Sequence, residues 1–373
     1  MKRNENSNQK NRKKRILFTC TCLMCALLFI GCGKKNWAVL EIPVEESSMT
    51  KAALPEEMTG EEPVEETEPE EPEPSSEPEP VIRMSNEARK AVLLESGAAA
   101  NVEERVIEIP GLREEYYFLY LSDMHIAIAN EEIAERDRGT VQRRLEGFTR
   151  DGNSSGQVFG KIAESAEDMD LDGVLLGGDI MDFLSEANSR CLKEGLGKLT
   201  MPYLYVTADH DLRAWWTEYS EEEQDALREE LPYEPVQVLD YGEFLILGIS
   251  DSTSQLTESM LQEIRQVFAL GKPVILVQHV PLDFGEDEPL REYSRENWDG
   301  RVLLWGDDGN YRADDVTQEY LDLLRDSGCP VVAVLAGHLH FRHEGRLNDR
   351  IRQYLFYPAY SGEVALFTIK GTE

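Results

Sequence analysis

Five of the chain's six histidines, His125, His210, His279, His338 and His340, stand at or just past the end of an apolar run. Aspartates gather with them: Asp123 shortly before His125, Asp209 and Asp211 on either side of His210, and Asp283 shortly after His279. A single imidazole of this kind is an ordinary loop residue. Repeated at strand ends beside carboxylates, imidazole nitrogens suggest a metal site. The chemistry open to these residues is metal-assisted, with proton transfer by imidazole beside it.

What must position them is a set of buried strands. Residues 331–340, VVAVLAGHLH, run through six unbroken apolar residues to Gly337, His338 and His340. Such a run reads as a strand buried on both faces, with the histidines at its carboxyl end, where layered α/β folds collect their active sites. Residues 116–121 lead in the same way into Asp123 and His125, residues 174–176 into Gly177-Gly178-Asp179 and Asp182, residues 203–207 into Ala208-Asp209-His210-Asp211, and residues 274–277 into His279. Further strands are expected at 102–109 and 244–249, with 352–356 and 363–369 as closing antiparallel strands. Helices are expected at 86–95, 188–199, 219–230, 257–270 and 313–327, and a helical stripe runs from Val158 to Met169. Two charged, irregular insertions, 126–156 and 282–310, read as a lid or substrate-facing loops. Arg301, Trp305 and Tyr311 in or beside the second are candidate substrate contacts. The pattern predicts an α/β fold, two mixed β-sheets packed as a sandwich and flanked by helices, in one domain spanning 85–373 with its motif-bearing core at 116–373.

The residues before this domain have a different composition. Lys13, Lys14 and Arg15 precede an apolar run over 16–31, short for a membrane span and suited to a signal peptide. Its end, Leu28-Phe29-Ile30-Gly31-Cys32, resembles the lipobox of bacterial lipoproteins, which implies a signal over 1–32, lipidation of Cys32 and an extracytoplasmic domain anchored to the membrane only through that lipid. Phe29 departs from the usual leucine and leaves an uncleaved anchor as the alternative. Residues 33–84 read as an acidic, Pro-rich spacer: positions 41–80 hold fifteen Glu and eight Pro, too little apolar area to offset chain entropy. The net charge is -34, of which about -28 falls on residues 81–373, since the first forty carry +8 and the next forty -14. Such a surface argues against nucleic-acid binding. Cys191 and Cys329 are the only cysteines in the folded part and read as free, buried thiols, with a disulfide between them as the alternative that an extracytoplasmic compartment permits. The sequence leaves the oligomeric state open.

Taken in order, Asp123-x-His125, Gly178-Asp179-x-x-Asp182, Ala208-Asp209-His210-Asp211, His279 and Gly337-His338-x-His340 resemble the signature of the calcineurin-like metallophosphoesterases. The resemblance covers about two-thirds of the chain. It implies two divalent or mixed-valence ions (Mn, Fe or Zn) bridged by Asp179, the first also held by Asp123, His125 and His340, the second by Asp209, His279 and His338. It further implies hydrolysis of a phosphomonoester or phosphodiester by attack of hydroxide generated at the metals, with His210 as general acid, Asp211 orienting it, and Asp182 holding a ligand in place. His343 has no place in the pattern and reads as a surface residue. The third motif departs from the family's Gly-Asn-His-Asp or Gly-Asn-His-Glu. Asp209 adds a negative charge that brings a centre of two divalent ions and one hydroxide to neutrality. Two other classes remain: a catalytically impaired, surface-anchored binding protein using the same pocket, and a metal-dependent amidase or peptidase, which the absence of H-E-x-x-H disfavours.

Overall fold

The computed structural model describes residues 83–306 and 310–372; the signal run, Cys32 and the linker up to residue 82 lie outside them. In chain order the first half runs through α1 (Asn86–Glu95), β1 (Asn101–Ile109), β2 (Tyr116–Leu121), α2 (Arg138–Gly147), α3 (Ser155–Ala166), β3 (Gly173–Gly177), α4 (Glu186–Leu196), β4 (Tyr203–Val206), the single turn α5 (Asp209–Leu212) and α6 (Glu221–Glu229). The second half continues with β5 (Val236–Asp240), β6 (Leu245–Ile249), α7 (Glu258–Ala269), β7 (Val274–Val277), β8 (Leu282–Asp283), α8 (Glu288–Asn297), β9 (Trp305–Gly306), β10 (Tyr311–Arg312), α9 (Asp315–Arg325), β11 (Val331–Ala336), β12 (His343–Arg346), β13 (Arg352–Leu355) and β14 (Glu363–Gly371). Among the described residues no helix is long and apolar enough to cross a membrane.

Two sheets form, in the orders β1-β14-β2-β3-β4 and β12-β13-β11-β7-β6-β5, with a small third sheet β10-β9-β8. Both large sheets are mixed: β2, β3 and β4 run parallel while β14 opposes β2, and β6, β7, β11 and β13 run parallel while β5 and β12 close the edges antiparallel. Strand periodicity explains the layers. On β2 the side chains of Phe118 and Tyr120 enter the core between the sheets, with Leu175, Leu204, Ile246, Ile275, Val277, Leu335 and Phe367. The alternate residues Leu119 and Leu121 pack outward against Val158, Phe159 and Ile162 of α3 and Leu192 of α4. The second sheet buries Leu247, Leu276 and Val334 against Ile264 of α7 and Leu321 of α9. The expected sandwich flanked by helices is therefore the fold. Each fully buried Leu, Ile or Phe contributes about 1.5 to 3 kcal/mol, which is why these strands read as near-continuous apolar runs.

Several expectations change. Residues 352–356 and 363–369 are strands with an antiparallel neighbour each, β12 for β13 and β2 for β14, but both also have a parallel neighbour and they lie in different sheets. The two insertions are not irregular, since the first carries α2 and the second α8 and two short strands. His343 is not a surface residue; it lies on β12, largely buried, with Nε2 2.7 Å from Asp287 Oδ2, the carboxylate side chain that caps α8. Cys191 and Cys329 are free as expected, but half-buried rather than buried.

Candidate metal centre

The candidate site residues follow the carboxyl ends of the parallel strands: Asp123 and His125 after β2, Asp179 after β3, Asp209 and the proton-donor candidate His210 in α5 after β4, His279 after β7, His338 and His340 after β11. Nine described non-glycine residues have positive φ, and five are here: Asp123 (53°), His125 (45°), Asp179 (51°), His338 (70°) and His340 (56°). Left-handed backbone costs about 1 kcal/mol or more at each non-glycine residue, so its concentration at one spot marks a place where side-chain aim outweighs backbone comfort. The loops hold each other by main-chain bonds, Asp123 N–H to Gly178 O at 2.9 Å, His125 N–H to Asp179 O at 3.0 Å and Gly337 N–H to His279 O at 3.0 Å. Gly178 is required twice over: its φ is +91°, and a Cβ there would lie 2.7 Å from the His279 side chain.

Among the described residues three groups of possible ligand atoms converge; one, His125, Asp182 and His210, is tied together by hydrogen bonds to Asp182, and the other two are the candidates for ions. In the first, Asp123, His125 and His340 each present an atom within 4.8 Å of the others, with His340 Nε2 3.2 Å from Asp123 Oδ1 and 3.3 Å from His125 Nε2. His125 Nδ1 lies 3.0 Å from Asp182 Oδ1, so its proton sits on that edge and the Nε2 lone pair faces the centre. In the second, Asp179 meets His279 and His338. His279 Nδ1 donates to Gly177 O at 2.9 Å, which turns Nε2 toward the centre. Asp179 Oδ2 is 3.1 Å from His279 Nε2 and 3.9 Å from His125 Nε2, and so stands between the two groups.

Whether these residues fit metal ions is tested by their unmet needs. The Nε2 atoms of His279 and His338 are buried without a hydrogen-bond partner; Asp179 is near the first but out of line for a hydrogen bond. A buried polar atom without a partner costs about 1 to 3 kcal/mol. Two imidazole nitrogens left so, aimed beside an acidic group, fit a cation. The charges agree. Burial would push Asp123 and Asp179 up, but His279 and the neighbouring imidazoles hold both below the usual carboxylate range. Burial would push His279 down, but Asp179 and Asp123 raise it well above an ordinary imidazole. Burial and the His279 charge press His338 down to about 3, leaving it a neutral donor.

Asp209 lines the same cleft, with Oδ1 2.6 Å from Arg213 Nε yet buried without a hydrogen-bond partner, and it is not among the atoms of the second group. His210 Nδ1 donates to the main-chain oxygen of Asp182 at 2.7 Å, and its ring meets Trp215 and His125 edge-on. Asp211 does not orient it. That carboxylate is fully buried and accepts from Met181 N, Ala208 N and Tyr205 OH at 2.8 to 2.9 Å, tying α5 to the loop after β3. Burial and Asp179 raise it to about 7. The orienting group for His210 is Asp182.

The cleft holds about 400 Å³. Arg301 and Tyr311 line it as expected, Tyr311 edge-on to His338. Trp305 is packing: fully buried, its Nε1 donates to Ser254 O. Asp283 also stands apart, paired with Arg291. Residues that the sequence did not single out are Arg144, Phe148, Trp298 and Tyr360 in the cleft wall, and Asp251 after β6, raised by burial to about 6, with one carboxylate oxygen on Val280 N and the other unpartnered. Only the place of Asp251 at a strand end could have flagged it.

No family model matches the chain, and no curated protein matches it. Among solved structures it is similar to a dimetal phosphatase from Danio rerio, at 13% identity over 66% of this chain and 88% of that one, with a TM-score of 0.42. It is also similar to a purple acid phosphatase from yellow lupin seeds, at 14% identity over 69% of this chain and 44% of that one (TM-score 0.38). A third similar structure is the phosphopantetheinyl hydrolase from Mycobacterium tuberculosis, at 13% identity over 66% and 91% of the two chains (TM-score 0.35).

Proposed function

We propose that this chain is an extracytoplasmic phosphoester hydrolase that holds two metal ions. The observation that carries the proposal is the convergence of two buried donor groups on either side of Asp179, with imidazole nitrogens that nothing else satisfies. Asp123, His125 and His340 would hold one ion, His279 and His338 the other, and Asp179 both. Asp209 would complete the second set by leaving Arg213. Bound there, two divalent or mixed-valence ions would supply Lewis acidity toward a phosphoryl oxygen and acidify the attacking water.

The chain's own groups do the rest. The Nδ1 anchor on Asp182 fixes the His210 ring and leaves Nε2 to give a proton to the leaving oxygen as its bond to phosphorus breaks. Asp182 Oδ1 lies 3.5 Å from the same Nδ1, so the residue backs the ring with both its main chain and its side chain. Arg144 and Arg301 in the wall make the cleft favourable to an anion on an otherwise acidic protein. The apolar run before Cys32 supports a lipid-anchored location, which fractionation of a Cys32→Ser variant tests: the variant staying in the membrane fraction would count against it.

The signal-free protein with Mn²⁺ is expected to hydrolyse p-nitrophenyl phosphate or its bis ester. Asp179→Ala should abolish turnover, and His210→Ala should lower it about 10²- to 10⁴-fold. The pairing of Asp209 with Arg213 favours one other reading, a binding protein that has lost catalysis. No turnover with Mn, Fe or Zn, together with retained phosphate binding, would establish that reading instead.

A further inference from the structure

We propose that α2, in the first insertion, is a clamp whose Arg144 acts as a positioning residue for both the first ion's ligand His125 and the proton donor His210; this rests on the hydrolase reading above. The segment reads from sequence as a lid or substrate-facing loop; Arg144 and Phe148 do line the cleft, and their contacts run to the groups behind the centre. Arg144 Nε donates to Asp182 Oδ2 at 2.6 Å and Nη2 bonds Oδ1, a two-point, charge-assisted fork that fixes the plane of the carboxylate. Asp182 is fully buried and passes that orientation on twice, by Oδ1 to His125 Nδ1 at 3.0 Å and by its main-chain oxygen to His210 Nδ1 at 2.7 Å.

The same helix holds the face of the His125 ring. Phe148, the residue that ends α2, stacks on that imidazole with centroids 4.7 Å apart and planes 8° from parallel. Arg144 in turn lies over Phe148 at 5.1 Å and Trp216 at 5.6 Å. Val141 seats the helix among Ala127, Ile133 and Phe183. His125 is thus fixed on its edge by Asp182 and on its face by Phe148, and Arg144 supports both. Lysine cannot replace this arrangement, because its single ammonium has no planar fork.

The test is calorimetric titration of Mn²⁺ into the metal-stripped, signal-free protein, with the two binding events assigned by His340→Ala and His338→Ala. Arg144→Gln and Arg144→Lys are expected to weaken the first ion about 10- to 100-fold while leaving the second within about threefold. Their loss of kcat/KM should be about tenfold larger for phenyl phosphate, a poor leaving group that needs the proton, than for p-nitrophenyl phosphate. Should the arginine variants not fold, Phe148→Leu keeps the ion pair and should show a smaller selective loss of the first ion. Equal weakening of both ions, or equal loss on both substrates, overturns the clamp and leaves the hydrolase reading intact. Wild type that binds neither ion overturns both.

Discussion

Asp209 lies beside Arg213, a partly exposed partner one helical turn away, and outside the second donor group. A pair this exposed is worth at most about 1 kcal/mol, so a cation in the centre can compete for the carboxylate. While the pair stands, Arg213 offsets the negative charge that Asp209 carries in place of an asparagine. His279 sets the other electrostatic condition. Its folded-state pKa is raised, so in the metal-free protein its pairing with Asp179 and Asp123 stabilises the fold fully below the unfolded imidazole value of about 6.5 and is lost as pH rises through the folded value. An ion at the second group must displace that proton. Metal uptake at pH 7 should therefore release close to one proton there, and second-ion affinity should rise with pH; calorimetry in buffers of different ionisation enthalpy measures this, and uptake with no proton release would refute it. The candidate ligands were legible in the sequence because type and place coincide at strand ends. Arg144 and Phe148 were not, because nothing local distinguishes an arginine that will meet a carboxylate on another loop. Asp211 misled for the converse reason: adjacent in sequence to His210, it is drawn instead to main-chain N–H groups within its own short turn.

The strands carry the centre through the shape of their ends. Because Gly178 combines a φ of +91° with a 2.7 Å approach to His279, alanine there must both strain the backbone and displace a ligand. Gly178→Ala is expected to cost about 1 to 3 kcal/mol of stability and to weaken the second ion more than the first. Denaturant unfolding and metal titration check this; an unchanged midpoint with both ions retained would contradict it. Strand positions were readable wherever both faces are buried, as in β2, whose ends match expectation at Tyr116 and Leu121. Helices α2 and α8 were read as irregular because they bury so little, α2 only Val141 and α8 only Leu290 and Ser294, and so lack an apolar stripe. β12, HEGR, carries no alternation and is a strand only because β13 pairs with it.

At the scale of the whole domain, two sheets of opposite inner faces place strand ends from distant parts of the chain within one cleft, so Asp123 and His340, far apart in sequence, share a donor group. The sandwich was legible from the mix of βα alternation and paired strands; which strands neighbour which was not, since β14 inserts between β1 and β2 by a pairing that spans the domain. Helix α1 belongs to this unit. Arg89 is fully buried, donates to Met169 O at 2.8 Å and Asp170 O at 3.0 Å, and lies 3.6 Å from the Tyr117 ring centroid, tying the start of the domain to the sheet that carries Asp123 and Asp179. The rigid seat that results is what a pair of closely spaced cations requires. The most direct test is to strip the signal-free protein with chelator and follow p-nitrophenyl phosphate hydrolysis as Mn²⁺ is added back. Two metal ions sharing Asp179 predict no turnover in the stripped protein and activity that saturates at two equivalents per chain. Turnover without metal, or saturation at one equivalent, would contradict them.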